Sequence, residues 1–156
     1  MIMNFFSNII NKIKSVTVKD VFVGRKLTSY LNLGAAAMCL ITMITFCVYG
    51  AVNRYYDSIV CLNIILAMLC FTGYFLFNAY KGGRVLNIIG VILLSFALTF
   101  FFINSYPVWA DELNGITMYG SRGGLAPVIA IIVMMVLSVV AGIVSCFLQP
   151  EERRGA

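Results

Sequence analysis

Four long apolar runs, none interrupted by Asp, Glu, Lys or Arg, are separated by polar segments: Leu27 to Tyr49, Ser58 to Tyr80, Val85 to Ile103 and Leu125 to Leu148. Each approaches or exceeds the ~20 residues an α-helix needs to cross about 30 Å of hydrocarbon. Lipid tolerates only helices or closed barrels, and the runs lack period-two alternation, so the pattern predicts four transmembrane helices. Ahead of them, Ile2, Phe5, Phe6, Ile9, Ile13 and Val16 recur at helical spacing, with Asn4, Ser7, Asn8, Asn11, Lys12, Lys14 and Ser15 on the other side. This predicts an amphipathic helix in the membrane interface. Its cations follow its apolar residues and no A-x-A-like site ends it, so it is expected to stay attached rather than be cleaved.

The predicted fold is an all-α membrane protein, a four-transmembrane-helix bundle preceded by an N-terminal cytoplasmic interfacial amphipathic helix. Residues 1–24 form that helix, 25–149 the transmembrane domain with an outer loop over 104–124, and 150–156 a cytoplasmic tail. Composition closes the other routes: 62% of the 156 residues are hydrophobic and 11% charged, with a mean hydropathy of +0.98. Soluble domains carry about 25% charged residues, and disordered chains carry still more charge and less hydrophobicity.

Charge sets the orientation. Lys12, Lys14, Lys19, Arg25 and Lys26 precede the first span, Lys81 and Arg84 lie between the second and third, and Arg153 and Arg154 follow the fourth, while Arg54 and Arg122 alone fall on the opposite side. The positive-inside rule therefore predicts cytoplasmic termini. The net charge of +5 is a topology signal and an attraction for anionic lipid rather than a nucleic-acid footprint.

The chemistry on offer is narrow. The chain has no histidine, so it lacks Ser-His and Cys-His nucleophile pairs and histidine metal sites. Cys39, Cys47, Cys61, Cys70 and Cys146 sit in apolar runs without a C-x-x-C pair, which argues against thiol redox work. Cys47 and Cys61 fall at similar depth, but disulfide geometry is restrictive and no bond is expected. The spans hold no ionisable side chain with which to couple an ion to a substrate. A passive pore would have to be lined by Asn32, Thr42, Thr45, Asn63, Thr72, Asn78, Ser95, Thr99 and Asn104, residues that more often bond across helices or back to their own. Neither catalytic residues, cofactor sites nor metal ligands are predicted, and the chain reads as non-enzymatic. An outer-leaflet enzyme working through Asp111 and Glu112 lacks a nucleophile, and adjacent acids on a helix point about 100° apart.

What remains are contact surfaces. On the amphipathic helix Phe6, Ile9, Ile13, Lys12 and Lys14 would touch lipid or a partner. In the outer loop Trp109, Asp111, Glu112 and Arg122 are the candidates, with Tyr106, Trp109 and Tyr119 suited to an aromatic belt and an apolar stretch, interrupted by Pro107, suited to a short re-entrant or surface helix. The two acids are expected to be solvated. Gly34, Ser138 and Gly142 are candidate helix-packing positions, and Asn32, Asn63 and Asn87 candidate interhelical hydrogen-bonders.

The amphipathic start, the four spans, the long second outer loop with glycines before the last helix, and the tail Val139-Val140-Ala141-Gly142-Ile143-Val144-Ser145-Cys146-Phe147 together resemble a loose group of small, uncharacterised four-span membrane proteins of Gram-positive bacteria. Claudin and tetraspanin patterns do not match, since the outer loops hold no cysteine. The resemblance implies a bacterial plasma-membrane location and a subunit or accessory role beside sugar ABC transporters. The expected function is thus a non-enzymatic membrane subunit whose partners are the lipid bilayer and other membrane-protein subunits. The alternative is a self-sufficient small channel or facilitator formed by the bundle or its oligomer.

Overall fold

A computed structural model describes residues 26–77, 83–116 and 123–148. The amphipathic segment, with Phe6, Ile9, Lys12, Ile13 and Lys14, lies outside the described residues, as do Arg122 and the tail 150–156. Among the described residues there are five helices and no strand: α1 (Leu27–Asn53), α2 (Ser58–Phe77), α3 (Gly83–Asn104), α4 (Tyr106–Asn114) and α5 (Leu125–Phe147). Four of these, α1, α2, α3 and α5, are long and apolar enough to span a membrane, which makes the chain a multi-pass membrane protein by length and composition.

Helix α1 runs four residues past the apolar run that predicts it. Its last turn closes on Arg54, whose φ of 51° is left-handed, and the backbone N–H groups of Arg54 and Tyr55 both turn back to Gly50 O. The reversal needs a glycine at 50, because a Cβ there would meet Tyr55 O at 2.5 Å. Helix α2 starts at once, with Asp57 Oδ1 accepting the Ile59 and Val60 N–H groups at 2.9 and 3.3 Å. That carboxylate satisfies two of the four orphan donors of a helix start.

The segment predicted as a loop over 104–124 contains α4. Pro107 has no N–H to extend the ladder of α3, so the chain bends at Ser105 and restarts with Pro in the first turn. Gly115, left-handed at φ 65°, ends α4 by donating its N–H to Asp111 O.

Helix α1 packs on α2 and α5, and α3 packs on the same two, so the spans form a ring with α1 and α3 on one diagonal. One end, called here the near end, brings together the starts of α1 and α3 and the end of α5, through Asn32, Asn87 and Ser145. The other, the loop end, gathers the end of α1, the start of α2 and the end of α3, through Phe46, Phe101, Asp57 and Asn104. The centre is filled by Phe46, Ile64, Phe71, Leu94, Phe101, Ile131 and Met135, all fully buried. Apolar side chains such as Leu40, Ile44, Leu62, Leu69, Ile92, Phe96, Leu137 and Val140 point outward, the arrangement lipid requires of a bundle in hydrocarbon.

Two of the three predicted packing positions act within the bundle. Ser138 and Gly142 are buried, and a Cβ on Gly142 would come within 2.6 Å of Val91 and 3.1 Å of Phe71, so glycine lets α5 approach α3 and α2 closely. Gly34 takes no part in packing within the described bundle. A Cβ there meets nothing within 4 Å, because the seam side of α1 is occupied by Ala35, Ala36 and Cys39, which are buried.

Candidate functional site

The polar side chains of the spans sort into two kinds. Several are bonded to their own helix one turn back: Thr42 to Met38 O, Thr45 to Ile41 O, Asn63 to Ile59 O, Thr99 to Ser95 O and Ser138 to Met134 O, at 2.8 to 3.0 Å. Thr42, Thr45, Asn63 and Thr99 are among the groups a pore would have to present, and each has a donor tied to its own backbone; Asn78 lies outside the described residues. Asn63, expected to bond between helices, therefore bonds within α2 instead.

Asn32, Asn87 and Ser145 behave differently and form a node at the near end. Asn32 Nδ2 donates to Thr28 O at 3.0 Å and to Ser145 Oγ. Asn87 Nδ2, from the diagonal helix, donates to Gly142 O at 3.1 Å, to Ser145 Oγ at 3.3 Å and to Cys146 Sγ at 3.1 Å. Ser145 Oγ in turn donates to Thr28 O at 3.4 Å. One hydroxyl on α5 thus joins α1 and α3 across the bundle. The amide oxygens Asn32 Oδ1 and Asn87 Oδ1 are buried and accept no hydrogen bond from the protein. The sequence pointed to the two asparagines as interhelical bonders, but not to their meeting on one atom of Ser145.

At the loop end, Asn104 Nδ2 donates to the second carboxylate oxygen of Asp57, fastening α3 to the start of α2. Tyr55, in the turn between α1 and α2, has its hydroxyl buried. Burial first, and then the neighbouring Asp57 charge, push its phenol up to about 12, with Asn104 opposing. Phe46 and Tyr49 of α1 meet Phe101 of α3 edge to face, at 5.8 and 6.5 Å between ring centroids.

Helix α4 carries the predicted outer-loop residues. Trp109 is half-buried, donating Nε1–H to Ser105 Oγ at 3.2 Å and lying 5.9 Å from the Phe102 ring. The two acids do separate around the helix, yet only Glu112 is solvated. Asp111 is buried at 6% exposure, which corrects the expectation for that residue. It sits beside Val108 and Ala110 on the side that faces the bundle, whereas Tyr106 and Leu113 stand exposed with Phe102 and Ile103.

The structure thus defines a multi-pass helical bundle with a filled core, a polar clasp at one end and a short amphipathic helix at the other. Compared with protein-family models, curated proteins and solved structures, the chain has no match.

Proposed function

We propose that the chain is a non-enzymatic integral membrane subunit of a larger complex in the plasma membrane of a bacterium, with both termini cytoplasmic. The observation that carries this reading is the filled core: bulky side chains occupy the axis between the spans, and Thr42, Thr45, Asn63 and Thr99, four of the polar side chains named for a pore, spend their donors on their own helices. A bundle filled in this way works through its outside. The outside offers α4, whose Tyr106, Glu112 and Leu113 project from the loop end; by its sequence spacing alone, the segment with Phe6, Ile9 and Ile13 beside Lys12 and Lys14 is a second candidate contact. The charge asymmetry supports an orientation with the near end in the cytoplasm. The resemblance to small four-span proteins of Gram-positive bacteria makes a sugar ABC transporter the complex of choice.

Affinity purification of the tagged chain from its native host in a mild detergent tests the reading. The expected result is co-purification, in fixed ratio, of the membrane and nucleotide-binding subunits of one transporter. A monodisperse chain with no companion would overturn it, as would solute flux through liposomes containing this chain alone.

A further inference from the structure

The near-end node has an imbalance that identifies what it binds. The amide and hydroxyl donors in it are used: Asn32 Nδ2 and Asn87 Nδ2 face Thr28 O and Gly142 O, and Ser145 Oγ takes both amides and gives its own proton to Thr28 O. Two acceptors are left over, Asn32 Oδ1 and Asn87 Oδ1, on side chains that are 0% and 1% exposed. Turning the amides over does not remove the imbalance. The carbonyls of Thr28 and Gly142 can only accept, so the nitrogens must face them and the oxygens must face away.

We propose that the near end of the bundle is a binding site for water, with Asn32 Oδ1 and Asn87 Oδ1 as its acceptors. Buried carbonyl oxygens without a donor are costly in an apolar medium, and a molecule that supplies donors while occupying little volume removes that cost. A bare cation is the poorer occupant. The oxygens of Thr28, Gly142 and Ser145 already accept N–H or O–H groups, and two free amide oxygens are too few to replace a hydration shell. The entry path is short: Asn32 lies five residues into α1 and Asn87 four into α3, about 6–8 Å from the helix starts at 1.5 Å per residue. Water held there keeps the diagonal clasp satisfied. The site does not depend on the subunit role.

Water-edited solid-state NMR of the full chain, labelled with 15N and held in lipid bilayers, tests this. Magnetisation from water should reach the Asn32 and Asn87 side-chain amides about as fast as it reaches exposed Asn114, and clearly faster than it reaches the buried backbone amides of Ala67 and Ala97. N32L and N87L assign the two signals. Should either variant fail to fold, selective asparagine labelling of the unaltered chain gives the same comparison. Build-up at both asparagines as slow as at Ala67 would overturn the proposal. A shift of both resonances on adding sodium, without fast water transfer, would overturn it in favour of a cation.

Discussion

At the near end, α1, α3 and α5 meet through two amides and one hydroxyl; at the loop end, α1 and α3 meet through the rings of Phe46, Tyr49 and Phe101. Both joints cross the same diagonal of the bundle, but they differ in what holds them. Hydrogen bonds between spans contribute about 0.6 kcal/mol on average, since the separated helices also find polar partners in the membrane. Packed rings contribute through many weak contacts at close range, and lipid chains cannot reproduce their fit. The amide joint is directional and sets which helix faces which. The ring joint fills volume.

The largest expected effect therefore lies at the loop end. F101A empties the space between Phe46 and Tyr49, both buried. Because lipid is as apolar as the core, the transfer contribution largely vanishes and the cavity contribution remains, roughly 2–3 kcal/mol. Thermal unfolding in detergent should show this as the steepest drop among single substitutions, and a value no larger than that of N87L would reverse the ranking of the two ends.

Next comes G142A, which sets a methyl group 2.6 Å from Val91 Cγ2 and 3.1 Å from Phe71. Overpacking of this kind costs about 1–2 kcal/mol, tempered because Val91 can shift at its far end. G34A, by contrast, should be neutral in the same melt, since nothing stands within 4 Å of it. Destabilisation by G34A in the native membrane alone would point to a partner helix on that face.

Smaller still is the loss of one arm of the node. N87L should cost about 1 kcal/mol, and N32L a similar amount, but the double variant should cost clearly less than their sum. Both amides converge on Ser145 Oγ, and groups that share one partner are coupled. A double-variant cycle in denaturant, read by helical circular dichroism, measures this. Strict additivity would mean that the two asparagines act separately.

How far such features can be read from the chain alone differs between the joints. The spans were legible because lipid imposes a length and forbids charge, so four uncharged runs match α1, α2, α3 and α5 to within a few residues. Their ends were less so. The run beginning at Leu27 stops at Tyr49 by composition, yet α1 continues to Asn53 because the turn is made by Gly50 and Arg54. The separation of Asp111 and Glu112 by about 100° follows from helical geometry, but burial of Asp111 depends on where the bundle lies. Gly34 shows the limit most clearly. A small residue in a Gly-Ala-Ala-Ala run signals a packing face, and only the rotation of α1 about its axis puts Ala35 and Ala36 on the seam and leaves Gly34 outside.

The effect that reports most selectively on the loop end, and that is absent at neutral pH, is a pH response. Tyr55 lies in the short turn between α1 and α2, and its phenol is raised from 10.0 to about 12, chiefly by burial and then by the Asp57 charge. The folded state therefore holds this proton more tightly than the unfolded state does. Below pH 10 both states are protonated and the full stability is present. Between about pH 10 and 12 the unfolded chain ionises while the folded one does not, so stability falls as pH rises through that window. Melting temperatures measured from pH 9 to 12 in detergent should decline, and Y55F should flatten that part of the decline while leaving the pH 8 value little changed. N87L removes no titratable group, so N87L and the unaltered chain should fall in parallel. An unchanged slope in Y55F would mean that the hydroxyl is solvated and that the turn at the loop end is looser than its burial indicates.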